Sequence, residues 1–153
     1  MTGGHVPASF RILPERGLVY VQYSGNVRME ETVQAFADYA AHPDFRYGQK
    51  HLVDLSQVTS YEKDYVRVMS LQADKAAVLM QEPVQTMIVY LAPTRTSYEI
   101  ARLAANAWDE VPTIVACVQE SEAEALSVLG YSYTRLADLL EFAESTVRQD
   151  RIR

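Results

Sequence analysis

Catalytic and metal-binding residues are what this chain has least of. Its 153 residues include one cysteine, Cys117, and three histidines. A single cysteine excludes an intramolecular disulfide and any cysteine-based zinc cluster. His5, His42 and His51 stand apart, with no His-x-x-x-His spacing to share a metal. There is no Gly-x-Ser-x-Gly elbow, no Gly-x-x-x-x-Gly-Lys phosphate loop and no Gly-x-Gly-x-x-Gly fingerprint. The chain is therefore read as non-enzymatic, without cofactor or metal. Positive charge is scarce as well. Fourteen Lys and Arg face twenty Asp and Glu, a net charge of −6 that argues against a nucleic-acid surface. No apolar run reaches the ~20 residues needed to span a bilayer. The opening MTGGHVPASF lacks a charged-then-apolar signal pattern. Together with the lone thiol, which favours a reducing compartment, this leads to the expectation of a cytoplasmic protein.

The apolar side chains are distributed as in a globular domain of ordinary size, with no repeat, low-complexity tract or linker. Phe10, Ile12 and Leu13 predict a first strand, Pro14 to Gly17 a turn, and Leu18 to Ser24 a second strand paired with the first as a hairpin. Gly25-Asn26 is read as the break before a helix from Met29 to Ala41. Met29, Val33, Phe36, Ala37 and Ala40 would form its buried face. Leu52, Val53 and Leu55 predict a short strand, Ser56 to Ser60 a loop, and Glu62 to Met80 a helix. Tyr65, Met69, Ala73, Ala76 and Met80 would form that helix's buried face. Val84 to Ala92 reads as the most apolar strand, central in the sheet. A helix from Ser97 to Glu110 follows, with Thr96 and Glu99 spaced as a capping box. Thr113 to Gln119 is the last strand, and a helix capped by Ser121 and Glu124 stops at Gly130. Leu136, Leu139, Leu140, Ala143 and Val147 mark one further helix. The order ββαβαβαβα plus an extra helix calls for an α/β fold with a mixed, mostly parallel five-stranded sheet. Residues 1–130 would form the domain, and 131–153 a helical extension packed on it or serving as a homodimer contact.

The run Asp54-Leu55-Ser56-Gln57-Val58-Thr59, at a strand end before a helix, resembles the STAS domain and its SpoIIAA-like relatives. These are anti-sigma-factor antagonists and the related domains of sulfate transporters. The element order extends the resemblance over Phe10 to Gly130. The family's Asp-Ser-Ser-Gly, counted without gaps, falls on Glu62-Lys63-Asp64-Tyr65. Asp64 thus stands where the family carries its phosphorylatable serine; a gap of one or two residues would bring Ser60 there instead. The resemblance implies a regulatory module that binds a protein partner, such as a kinase-like or signalling regulator. Asp64 would imitate part of a phosphoserine's charge of about −1.5 to −2. Some SpoIIAA-like relatives resemble lipid carriers, which implies a second expectation: a small anionic or apolar ligand.

Open α/β sheets bind at the C-terminal ends of their strands. The candidate binding residues are therefore Ser56, Thr59, Ser60, Tyr61 and Asp64 in one loop and Arg95, Thr96, Ser97 and Tyr98 in another, with Glu120 and Ser121 in a third. Thr59, Ser60 and Asp64 also suit a helix N-terminus without any ligand. Arg95, at a strand end before a helix, suits a phosphate or carboxylate. The tyrosines, Tyr61, Tyr65, Tyr90 and Tyr98, suit an interface or the edge of a core. Cys117, in an apolar run, reads as a buried small hydrophobe.

Overall fold

The computed structural model describes residues 8–141. Strands β1 (Ser9–Leu13) and β2 (Leu18–Val27) form the antiparallel hairpin, joined by a 3-10 turn over Pro14–Arg16. Gly17 ends that turn at φ 61°, a left-handed conformation in which a side chain would be strained. Helix α1 (Met29–Ala40), strand β3 (Lys50–Tyr61), α2 (Tyr65–Leu79), β4 (Thr86–Leu91), α3 (Arg95–Asn106), β5 (Ile114–Gln119) and α4 (Glu122–Leu129) follow. A further helix, α5, runs from residue 136 to the end of the described residues. The five strands lie in the order β1-β2-β3-β4-β5, and every pair after the hairpin is parallel. The mixed, mostly parallel α/β sheet is thus present as the residue pattern predicts.

The sheet separates two apolar cores. Along β3 the side chains alternate. Leu52 packs with Leu18, Val89 and Leu91 against Leu126 and Leu129 of α4 and Leu136 and Leu139 of α5. Leu55 packs with Tyr23, Ile88 and Tyr90 against α2 and α3. Strands covered on both faces read as near-continuous apolar runs, which is why the pattern of β4 is so plain. The middle of the sheet nonetheless belongs to β3; β4 lies between it and β5. Leu139 is fully buried, and the Leu136 amide donates to Glu122 Oε1 at 2.7 Å. Lys50 Nζ donates to Leu129 O at 2.6 Å and lies over the Tyr131 ring. Within 131–141 the extension therefore packs on the sheet in cis. Ala143 and Val147 lie outside the described residues. Cys117 is half-buried beside this second core.

Several local expectations give way to tertiary context. Gly25-Asn26 does not break β2. The strand continues to Val27 through two register shifts, with Gly25 at φ 65°. Ser56 to Ser60 is strand rather than loop, because the prolonged β2 offers Ser24 to Val27 as pairing partners for Gln57 to Tyr61. Helix α2 starts at Tyr65, capped by Asp64, whose carboxylate accepts from the Arg67 amide at 3.0 Å. Its buried face is Val68, Gln72, Ala76 and Leu79; of the expected stripe Ala76 belongs to it, while Tyr65, Met69, Ala73 and Met80 are exposed. On α1, Met29, Ala35 and Tyr39 are buried while Val33 and Ala37 are exposed. The capping box of α3 is Thr94 with Ser97, two residues earlier than Thr96 with Glu99. By contrast, Ser121 caps α4 through the Glu124 amide and Gly130 closes it at φ 90°, as predicted.

Candidate functional site

The two cores are not equally filled. Between the sheet and helices α1, α2 and α3 lies a cavity of about 110 Å³. Phe10, Val21, Tyr23, His51, Val53, Leu55, Ile88 and Tyr90 project into it from the strands. Thr32, Ala35, Phe36 and Tyr39 come from α1, and Val68, Leu71, Gln72, Lys75 and Leu79 from α2. Ile100, Leu103, Ala104 and Trp108 close the far side. The volume is of the order of an engineered apolar cavity of about 150 Å³ that takes up benzene.

The polar groups of this lining fall into two sets. Most are satisfied. The Tyr90 hydroxyl accepts from Trp108 Nε1 at 2.9 Å and is also hydrogen-bonded to Gln72. Burial raises Tyr90 to about 12, against the pull of those two bonds. Gln72 Nε2 donates to the Ala104 carbonyl at 3.0 Å, tying α2 to α3. The Tyr39 hydroxyl donates to Gln49 Oε1 at 2.6 Å, and Gln49 Nε2 donates in turn to Asp44 O at 3.0 Å. Tyr23 is hydrogen-bonded with Thr32, and burial raises its pKa.

His51 and Lys75 form the second set. His51 is 7 % exposed and its Nε2 has no hydrogen-bond partner. It stacks edge-on against Tyr39, with ring centroids 5.4 Å apart. Burial, and then the charge of Lys75, push its pKa down to about 3, so the imidazole is neutral at pH 7. Lys75 lies over the Phe36 ring at 5.9 Å, across the seam between α1 and α2, and meets no carboxylate among the described residues. Burial lowers it to about 8. Among the described residues no Asp or Glu lines the cavity. A buried polar atom without a partner, as at His51 Nε2, costs roughly 1–3 kcal/mol, so His51 and the half-buried Lys75 are the chemically open part of the site.

Of the residues expected from the sequence, Tyr61 and Tyr90 line this cavity, and the others do not. Ser56 Oγ and its amide both bond Asp54 Oδ1, at 2.6 and 2.9 Å, and Asp54 also accepts from the Tyr20 hydroxyl on the opposite sheet face. Thr59 is exposed on β3, and Ser60 Oγ donates to Asn26 Oδ1 at 2.8 Å. Asp64 caps α2. Arg95 is 95 % exposed beside Glu99, Thr96 and Tyr98 lie on the outer turn of α3, and Ser97 is wholly buried in the capping box. The cavity sits under the helices rather than at the C-terminal strand ends. His51, at the start of β3, marks it in the sequence only as a polar residue opening an apolar strand. Among the described residues no group of three or more His, Cys, Asp or Glu could hold a metal, and no helix is long and apolar enough to cross a membrane.

No protein-family model matches the chain, and a search of curated proteins finds no match.

Stability at acid pH reports on His51. Its folded pKa lies below the unfolded value of about 6.5, so between pH 6.5 and 3 the unfolded chain binds the proton that the folded chain excludes. Stability therefore falls as pH drops through that window, by about 1.4 kcal/mol per pH unit from this residue at most. In urea melts at pH 7 and pH 5, His51→Gln should lose less stability than wild type on acidification. Equal losses would place His51 in a solvated setting.

Proposed function

We propose that this protein binds a small, largely apolar molecule in the cavity between its sheet and helices α1–α3. The carrying observation is an apolar chamber of about 110 Å³ in which the buried His51 Nε2 is unpartnered. Native interiors are close-packed, with few voids larger than a water molecule, and ligand sites are concave, mostly apolar and furnished with a few polar groups. The polar residues here follow that pattern: tyrosines anchored by second partners, and two open nitrogens. Lys75, over the Phe36 ring, spans the α1–α2 seam at the edge of the lining. The volume suits a single ring or a short chain and not a long acyl lipid.

Ala35, 8 % exposed on α1, lines the chamber, and a leucine there would occupy it. Ala35→Leu should leave the ligand-free protein as stable as wild type or more stable by about 0.5–2 kcal/mol. It should weaken toluene binding about tenfold or more, followed by amide chemical shifts. A folded Ala35→Leu protein that takes up toluene as well as wild type would rule the chamber out as the site.

The reading as a partner-binding regulatory module in the STAS manner draws on a separate observation. The outer face of α2 exposes Tyr65, Val66, Met69 and Met80, which are 58, 80, 54 and 45 % accessible. Exposed apolar patches of this kind mark interaction surfaces. Asp64, the position matching the family's serine, begins that same helix. If a protein or a second copy docks here, native mass spectrometry of gently purified material should show a complex that Val66→Glu with Met69→Lys dissolves. A bare monomer in both proteins would remove this reading.

A further inference from the structure

Which ligand the chamber selects follows from the groups left open within it. This inference rests on the cavity being a ligand site. Tyr23, Tyr39, Tyr90 and Gln72 already have partners inside the protein. Besides the half-buried Tyr61 at the rim, that leaves Lys75 and the His51 Nε2, the latter more than nine-tenths buried. With a proton on Nε2 the neutral imidazole is a donor. Both open groups then call for an acceptor, and one of them carries positive charge. No carboxylate among the described residues lines the chamber to answer it.

From this we infer that the chamber takes a small monocarboxylic acid, bound as its carboxylate by Lys75 and His51 with its apolar body among Val68, Leu79 and Ile88. Charge-assisted hydrogen bonds are the strong ones in such surroundings, and the half-buried Lys75 ammonium, over the Phe36 ring, meets no carboxylate among the described residues. A monoanion matches one ammonium and one neutral donor. A phosphate dianion would bring a second charge that nothing in the lining offsets. At about 110 Å³ the body is of the size of one aromatic ring or a short branched chain. The satisfied tyrosine hydroxyls frame the chamber without competing for the carboxylate. The edge-on Tyr39 ring holds the imidazole in place.

Calorimetric titration of the full chain with phenylacetate, phenylacetamide and toluene tests this. Phenylacetate should bind wild type about tenfold or more tighter than phenylacetamide. Lys75→Met should remove that preference while leaving toluene affinity within about threefold, and His51→Gln should weaken phenylacetate alone. If phenylacetate and the amide bind wild type equally, or Lys75→Met leaves the preference intact, the carboxylate assignment is overturned while the chamber stands. If none of the three binds, the assignment and the ligand-binding reading are both overturned. The comparison of acid with amide uses wild type alone and so does not depend on either variant folding.

Discussion

The first half of strand β3, His51 to Leu55, is covered on both faces, and the rest of the molecule is arranged to achieve that. Its even-numbered side chains, Leu52 and Asp54, belong to one layer and its odd-numbered ones, His51, Val53 and Leu55, to the other. Because side chains alternate along a strand, a shift of one residue in register would exchange the two sets. One layer is closed tightly by α4 and α5, where Leu126, Leu129 and Leu139 are at most 1 % exposed. The other carries three helices and more aromatic side chains than it can pack without a gap. The chamber is the difference between these two layers. Polar residues on β3 are tolerated for different reasons on each side. Asp54 is satisfied by Tyr20 and Ser56, while His51 remains neutral and open.

Helix α2 joins the two functional readings. Its inner face, Val68, Leu71, Gln72, Lys75 and Leu79, is a wall of the chamber. Its outer face is the exposed apolar stripe. Gln72 anchors that inner face, donating to the Ala104 carbonyl and bonding the Tyr90 hydroxyl. A ligand beneath the helix and a partner above it would act on the same fifteen residues. Any coupling between them is a change in how this helix sits.

How much of this was legible beforehand differs by feature. Element order, the mixed sheet and the α4 caps follow from periodicity and turn residues, which are local. Helix faces did not follow for α1 and α2. Apolar residues occur on both sides of these helices, so the stripe of Tyr65, Met69 and Met80 matched the helical period as well as the true core stripe did. The length of β3 was hidden because Gln57, Thr59 and Ser60 are polar, and their strand conformation depends on β2 continuing past Gly25. The site was the least legible. A void is a property of how distant side chains meet, and His51 becomes distinctive only when Tyr39, Lys75 and the sheet enclose it. The Asp54-Leu55-Ser56 run that carries the family resemblance is held by its own hydrogen bonds within the strand.

Both the proposed function and the choice of ligand require an accessible void between the sheet and helices α1–α3. Xenon enters apolar cavities of this size, so diffraction from crystals held under xenon pressure addresses it most directly. The account predicts a xenon peak enclosed by Ile88, Val68, Leu79 and Ala35, with the surrounding side chains unmoved. Density showing those side chains in mutual contact, with no xenon between them, would contradict it.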